Sequence, residues 1–320
     1  MKISVLAIIV VMMHAYTGIA SSQSYPSKPI RILTSGAGGS GDSIARVISN
    51  QLDTVLSQRV VVENRTSGVI LGQTVAKAPP DGYTLLLAGE SHWLVPFIYD
   101  KAPFDPIADF SPITIATTSP AMIVVNPSLP IHSVKDLIAY ARANPGALNF
   151  ASSSPGTSSH LTGHMFAKLA NVKIVNIQYK GAGQSMNDLI GGQVQVMFPS
   201  AGAILPLVRS GKVRALAVTS AKPSELVPDM PTATSAGVPG FVSSLKFAFF
   251  APAKTPSIAI GLLNKSIVGA LREPDTKKRL TTMGVETVGS TVEDLAEDVK
   301  DGMRVWGPLI QDLGIRETGS

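Results

Sequence analysis

The sequence predicts an α/β protein of two lobes, each a mostly parallel sheet flanked by helices, with two hinge crossings between them. Three observations point there. Apolar strand-like runs alternate with helical periodicity along nearly the whole chain, the pattern of parallel strands covered on both faces. The alternation falls into two blocks, with crossings near residues 121–127 and 244–252. The C-terminal helices have no sheet of their own, so they most simply return to the first block. At 320 residues, 45% of them hydrophobic, the chain can fill more than one core.

Residues 1–22 read as an export signal. Lys2 supplies the positive end, 3–13 is an apolar run too short to span a bilayer comfortably, and Gly18-Ile19-Ala20 offers small residues for cleavage between Ala20 and Ser22. The first block, 23–122, opens with a strand at 30–34. A helix follows at 42–56, with Ile44, Val47, Ile48, Leu52 and Val55 on one face. A strand at 59–62, a short helix ending near 75–77, the turn Pro79-Pro80-Asp81-Gly82 and a strand at 84–88 complete it.

The second block, 123–249, begins with a strand-like run whose start is already visible at Met122. A helix over 133–143 is stopped by Asn144-Pro145-Gly146. Then come a strand at 148–151, a Ser/Gly loop, a helix at 157–169, a strand at 174–179, a glycine turn and a short helix ending at Gly191-Gly192. Strands follow at 194–198 and 215–218. Residues 250–320 are assigned back to the first lobe, after a strand at 247–251. They carry a helix at 258–271 and another at 292–309, expected to break near Gly302.

Only 15% of residues are charged and the net charge is +5. The basic residues are scattered, with one tight run at Lys277-Lys278-Arg279, so the concentrated stripe of a nucleic-acid binder is missing. The chain has no cysteine, which excludes a lipid-anchor cysteine, a disulfide and a thiolate nucleophile. Together these features predict an exported soluble monomer.

The candidate sites cluster where strands run into helices. Gly36-Ala37-Gly38-Gly39-Ser40-Gly41 spells G-x-G-x-x-G between a strand and a helix, with Glu63 at the end of the next strand. Two readings compete. A helix N-terminus with unpaired N–H groups binds anions; the same pattern fits an NAD(P)-dependent oxidoreductase. Asp42 opposes the second, because its charge would sit where a pyrophosphate belongs. Ser152-Ser153-Ser154-Pro155-Gly156-Thr157-Ser158-Ser159-His160 is a second strand-to-helix loop, with more hydroxyls than capping needs. His160 and His164 share a helix face, but no H-E-x-x-H accompanies them and no metal site is expected. A secreted serine hydrolase stays open as an alternative, although no G-x-S-x-G occurs. Glu90-Ser91-His92-Trp93, Tyr179-Lys180-Gly181 and Phe198-Pro199-Ser200 also follow strands. Trp93 fits core packing and a ligand platform equally well.

Taken in order, the motifs resemble a known family. Tyr25-Pro26-x-Lys28-Pro29-Ile30-Arg31, Gly38-Gly39-x-x-Asp42-x-x-Ala45-Arg46, Val61-Val62-Glu63-Asn64-Arg65 and Ala76-Lys77-Ala78-x-Pro80-Asp81-Gly82-Tyr83-Thr84 are similar to the substrate-binding receptors of tripartite tricarboxylate transporters, the Bug family. Gly156-Thr157-x-Ser159-His160-Leu161, Gly191-Gly192-Gln193-Val194, the run from Gly211 to Val218 and Pro228-Asp229-x-Pro231-Thr232 continue the series. The resemblance implies a type II-like periplasmic binding protein, without catalysis or cofactor, that closes on a small carboxylate held by backbone groups, hydroxyls and waters. It implies a membrane permease or a sensor kinase as partner. By position, Gly38, Gly39, Ser40, Gly41 and Asp42 would wall the first lobe. Ser153, Ser154, Gly156, Thr157, Ser158 and His160 would wall the second, with Gly181 and Ser200 nearby. Ser91 and His92 are added from the residues themselves. The chain departs from the family at Gly41, where threonine is common, at His164 and Pro199, where acids are common, and around Glu90, Trp93 and Val95. If Glu90 faces the cleft, it disfavours polycarboxylates and favours ligands that also carry an amine or a neutral aromatic body.

Overall fold

The computed structural model describes residues 25–65, 68–152, 157–179 and 182–316. The export segment lies outside them, as do Ser153, Ser154, Gly156 and Gly181. Among the described residues no helix is long and apolar enough to cross a membrane.

The chain opens with three βα units. β1 (Ile30–Ser35) leads into α1 (Ser40–Leu56), β2 (Val60–Arg65) into α2 (Gly68–Ala76), and β3 (Thr84–Gly89) into α3 (Ser91–Ile98). β1 pairs in parallel with both β2 and β3. α1 lays Ile44, Ile48 and Leu52 on the sheet. Val55 stands 46% exposed in its last turn, and Leu56 packs in its place.

β4 (Phe110–Pro120) is the longest strand. Two features hide it in the sequence: prolines at 112 and 120, and a run of hydroxyl residues. Thr114, Thr117 and Ser119 are nonetheless buried; the Thr114 hydroxyl donates to the Ser290 carbonyl at 2.9 Å and that of Ser119 to the Gly284 carbonyl at 2.8 Å, while that of Thr117 has no partner among the described residues. Bonded hydroxyls can be buried at little cost.

The second sheet is built from β5 (Met122–Val125), β6 (Asn149–Ser152), β7 (Val175–Gln178), β8 (Val196–Met197) and β9 (Arg214–Val218) in the order β7-β6-β8-β5-β9. Its helices are α4 (Val134–Ala143), α5 (Ser158–Ala170), α6 (Ala182–Ile190) and α7 (Ala201–Arg209). β10 (Ser244–Pro252) then returns to the first sheet, followed by α8 (Ser257–Arg272), α9 (Pro274–Thr282), β11 (Glu286–Thr287) and α10 (Val292–Asp312). The first sheet reads β11-β4-β10-β3-β1-β2.

Each sheet is mixed where mostly parallel strands were expected. The βα units pair in parallel, whereas β10 with β3 and β4, and β5 with β8 and β9, run antiparallel. Met122 lies in the second sheet and residues 244–249 in the first. Pairing partners decide which sheet a strand joins, and local hydropathy does not report them.

Ala121 alone separates β4 from β5. At this crossing its carbonyl accepts the Thr219 N–H at 2.9 Å and the Thr219 hydroxyl at 3.0 Å, while the Ser243 N–H donates to the Thr219 carbonyl at 2.9 Å. Both passages between the sheets are therefore tied at one buried node. α8 packs on α1 and β4, and α10 packs on β4, α3 and α5. α10 does not break at Gly302. That glycine instead gives Trp93 room, since a Cβ there would lie 2.7 Å from the indole Nε1.

Candidate functional site

The carboxyl ends of β1 and β3 and the starts of α2, α3 and α5 surround a cavity of about 400 Å³. Ser35, Val69, Leu71, Ala88, Glu90, Ser91 and His92 line it from the first sheet's side. Thr157, Ser158 and Leu161, from the opening of α5, line it from the second. Leu245 and Phe247 of β10 form part of its wall and also border a smaller cavity of about 240 Å³. Ser40 and Ser200 line only that smaller space. Ser91, His92, Thr157 and Ser158 therefore come together around the larger cavity, and Ser40 and Ser200 around the smaller one, with Leu245 and Phe247 bordering both.

Gly38, Gly39, Gly41, Asp42 and His160 line neither cavity. Several of them make local contacts. Gly38 takes φ +78° and its N–H donates to Asp42 Oδ2 at 2.9 Å. Asp42 Oδ1 receives Asn64 Nδ2 and Arg46 Nε, each at 2.9 Å. The Gly38 N–H above all, with Asn64 and Arg46, holds the Asp42 carboxyl below the usual carboxylate range. The buried Asp42 carboxylate thus takes up the N–H that a phosphate at this loop would use. A Cβ on Gly41 would fall 2.7 Å from Thr34 Oγ1 and 3.1 Å from Phe247, so glycine there lets α1 close on β1. Glu63, the ribose-binding candidate, is held by Arg31 at 2.6 Å and 2.9 Å and by Arg65 at 3.5 Å.

His160 is 4% exposed and meets the His164 ring edge-on at 4.6 Å. Burial, with His164 beside it, lowers its pKa to about 4. No group of three or more potential metal ligands occurs among the described residues.

His92 is also 4% exposed, with Phe104 stacked at 4.9 Å, Phe110 edge-on at 4.5 Å and Phe250 at 5.2 Å. Neither ring nitrogen has a hydrogen-bond partner among the described residues, and burial takes its pKa down to about 3. The ring is neutral near pH 7. Trp93, the next residue, is buried against Phe250 and does not line the cavity, so it is core rather than platform.

Glu90 stands at the N-cap position of α3 without capping it. It lines the cavity, and no described residue hydrogen-bonds or ion-pairs with its carboxyl. Burial pushes its pKa up to about 8; Lys246 opposes this and Asp298 adds to it. Those two residues pair with each other. Among the described residues, no lysine or arginine lines the cavity. Its apolar wall, with Val69, Leu94, Val95 and Ile98, was not foreseen, because a cavity-facing leucine and a core leucine look alike in sequence.

A family model described as "Tripartite tricarboxylate transporter family receptor" matches residues 44–315. Protein BugT of Bordetella pertussis is 34% identical over 310 residues, covering 94% of this chain and 95% of its own. The structure of R. palustris Rpa4515 with adipate is similar at TM-score 0.76 and 31% identity, over 91% of this chain and 98% of that one. MatC from Rhodopseudomonas palustris with bound malate is similar at TM-score 0.72 and 27% identity, over 89% and 100%.

Proposed function

Because this chain belongs to the receptor family of the tripartite tricarboxylate transporters, we propose that it captures a small carboxylate between its lobes in the periplasm and presents the closed form to a membrane permease. The observation that carries this is the cavity shared by the two sheets. The opening of α5, a helix of 13 residues, forms one wall, and the β3–α3 junction forms the other. The first N–H groups of a helix lack intrahelical partners and carry partial positive charge, so a carboxylate is well placed at Thr157 and Ser158. A ligand touching both walls binds the closed arrangement better than an open one, and this difference drives closure. The adipate and malate bound by the two related structures fit the same chemistry.

No step of catalysis is assigned to the site. At the glycine loop, Asp42 already accepts the Gly38 N–H, which argues against a dinucleotide there. The test is a thermal-shift screen of the purified protein with mono-, di- and amino-carboxylates beside NAD(H) and ester substrates. A carboxylate at a hundred times its Kd should stabilise the protein by about 2.7 kcal/mol, with no turnover of any compound. Stabilisation by the dinucleotide alone, or ester hydrolysis, would overturn the proposal.

A further inference from the structure

We propose that Glu90 selects a ligand carrying a protonated amine on an apolar body, away from the carboxylate that α5 receives. This rests on the carboxylate-receptor reading and narrows it to a ligand class.

Two charges decide the matter. Glu90 lines the cavity and has no hydrogen-bond or ion-pair partner among the described residues. The charged groups acting on it are Lys246 of β10 and Asp298 of α10, and these are paired with each other. His92, on the same helix, is buried and neutral. Nothing cationic among the described lining residues could neutralise a second ligand carboxylate. Glu90 would stay protonated beside such a group, whose own charge would then lie against the aliphatic wall of Leu94 and Val95 with no cation to pair it. An ammonium reverses the balance. It gives Glu90 the missing cation and a charge-assisted hydrogen bond, while its alkyl or aryl body covers the apolar wall. The proton affinity that burial gives Glu90 reflects the same want of a cation.

Isothermal titration of the purified protein with length-matched acids tests this. The amino acids β-alanine, γ-aminobutyrate and ε-aminocaproate are compared with the plain acids propionate, butyrate and hexanoate and the diacids succinate, glutarate and pimelate. In at least one trio the amino acid should bind at least about tenfold tighter than both its partners. Glu90→Gln should remove that preference, and Glu90→Asp should keep it in weakened form, with circular dichroism confirming that both variants fold. A diacid or plain acid binding tightest in every trio, or a preference that survives Glu90→Gln, overturns the inference and leaves the receptor reading standing. If no acid of any kind binds, the receptor reading falls and takes this inference with it.

Discussion

His92 is a buried histidine whose ring nitrogens have no partner among the described residues, and its consequences are measurable. In the native state its pKa is lowered to about 3, and that of His160 to about 4. Between those values and the ordinary histidine range the unfolded chain binds more protons, so stability falls as pH drops from about 6.5 toward 4. Glu90 works in the opposite sense. Its raised pKa, about 8, means that stability is lost as pH rises from the ordinary carboxylate range through about 8. We predict that His92→Leu flattens the acid limb of a melting-temperature profile, and that Glu90→Gln flattens the alkaline limb. Profiles unchanged in both variants would refute these assignments. Gly302 offers a steric counterpart: Gly302→Val drives a branched side chain into the Trp93 indole and should cost about 1–3 kcal/mol in a denaturant titration.

Secondary structure shows what the sequence makes readable. α4 begins where expected because Ser133 accepts the Asp136 N–H, a cap visible as a residue pattern. The glycine loop after β1 was legible as a helix start, but its role was not: the carboxylate of Asp42 closes the loop from inside, and only geometry shows an N–H already taken. Hydroxyls at a helix start have a physical signature that singles out Thr157 and Ser158 in the sequence, and both line the cavity. α3 was missed because His92, Trp93, Leu94 and Val95 are all buried and leave no amphipathic period around Pro96. Gly302 reads as a break in the sequence, yet in the continuous α10 it serves a close packing contact with Trp93. α10 starts with a capping box between Thr291 and Asp294. Thr291→Ala should therefore lower stability by about 1 kcal/mol, read from the urea midpoint. An unchanged midpoint would show that the tertiary contacts of α10 fix its start.

Across the whole molecule, several contacts join the two sheets outside the crossing node. Lys168 on α5 pairs with Asp312 on α10 at 2.8 Å, Lys277 on α9 with Glu225 at 3.0 Å, and the Ser224 hydroxyl donates to Glu286 at 2.5 Å. The two exposed ion pairs are worth about 0–1 kcal/mol each, so they join the lobes without locking them. The tightest approach is between backbones. A Cβ on Gly202 of α7 would lie 2.4 Å from the Met283 carbonyl oxygen, and Gly284, at φ +73°, admits only a glycine-like neighbour. Gly202→Val should hold the lobes apart, enlarging the radius of gyration in small-angle scattering with ligand present and weakening carboxylate binding by at least about tenfold. Closure and affinity equal to the parent would show that this contact is not part of the bound state.

The most direct measurement is a crystal structure of the protein grown with the acid that raises its melting temperature most. The ligand carboxylate should lie at the start of α5, beside Thr157 and Ser158, with the rest of the molecule in the cavity against the β3–α3 junction. An acid bound on an outer face, with that cavity filled by protein side chains, would contradict the account.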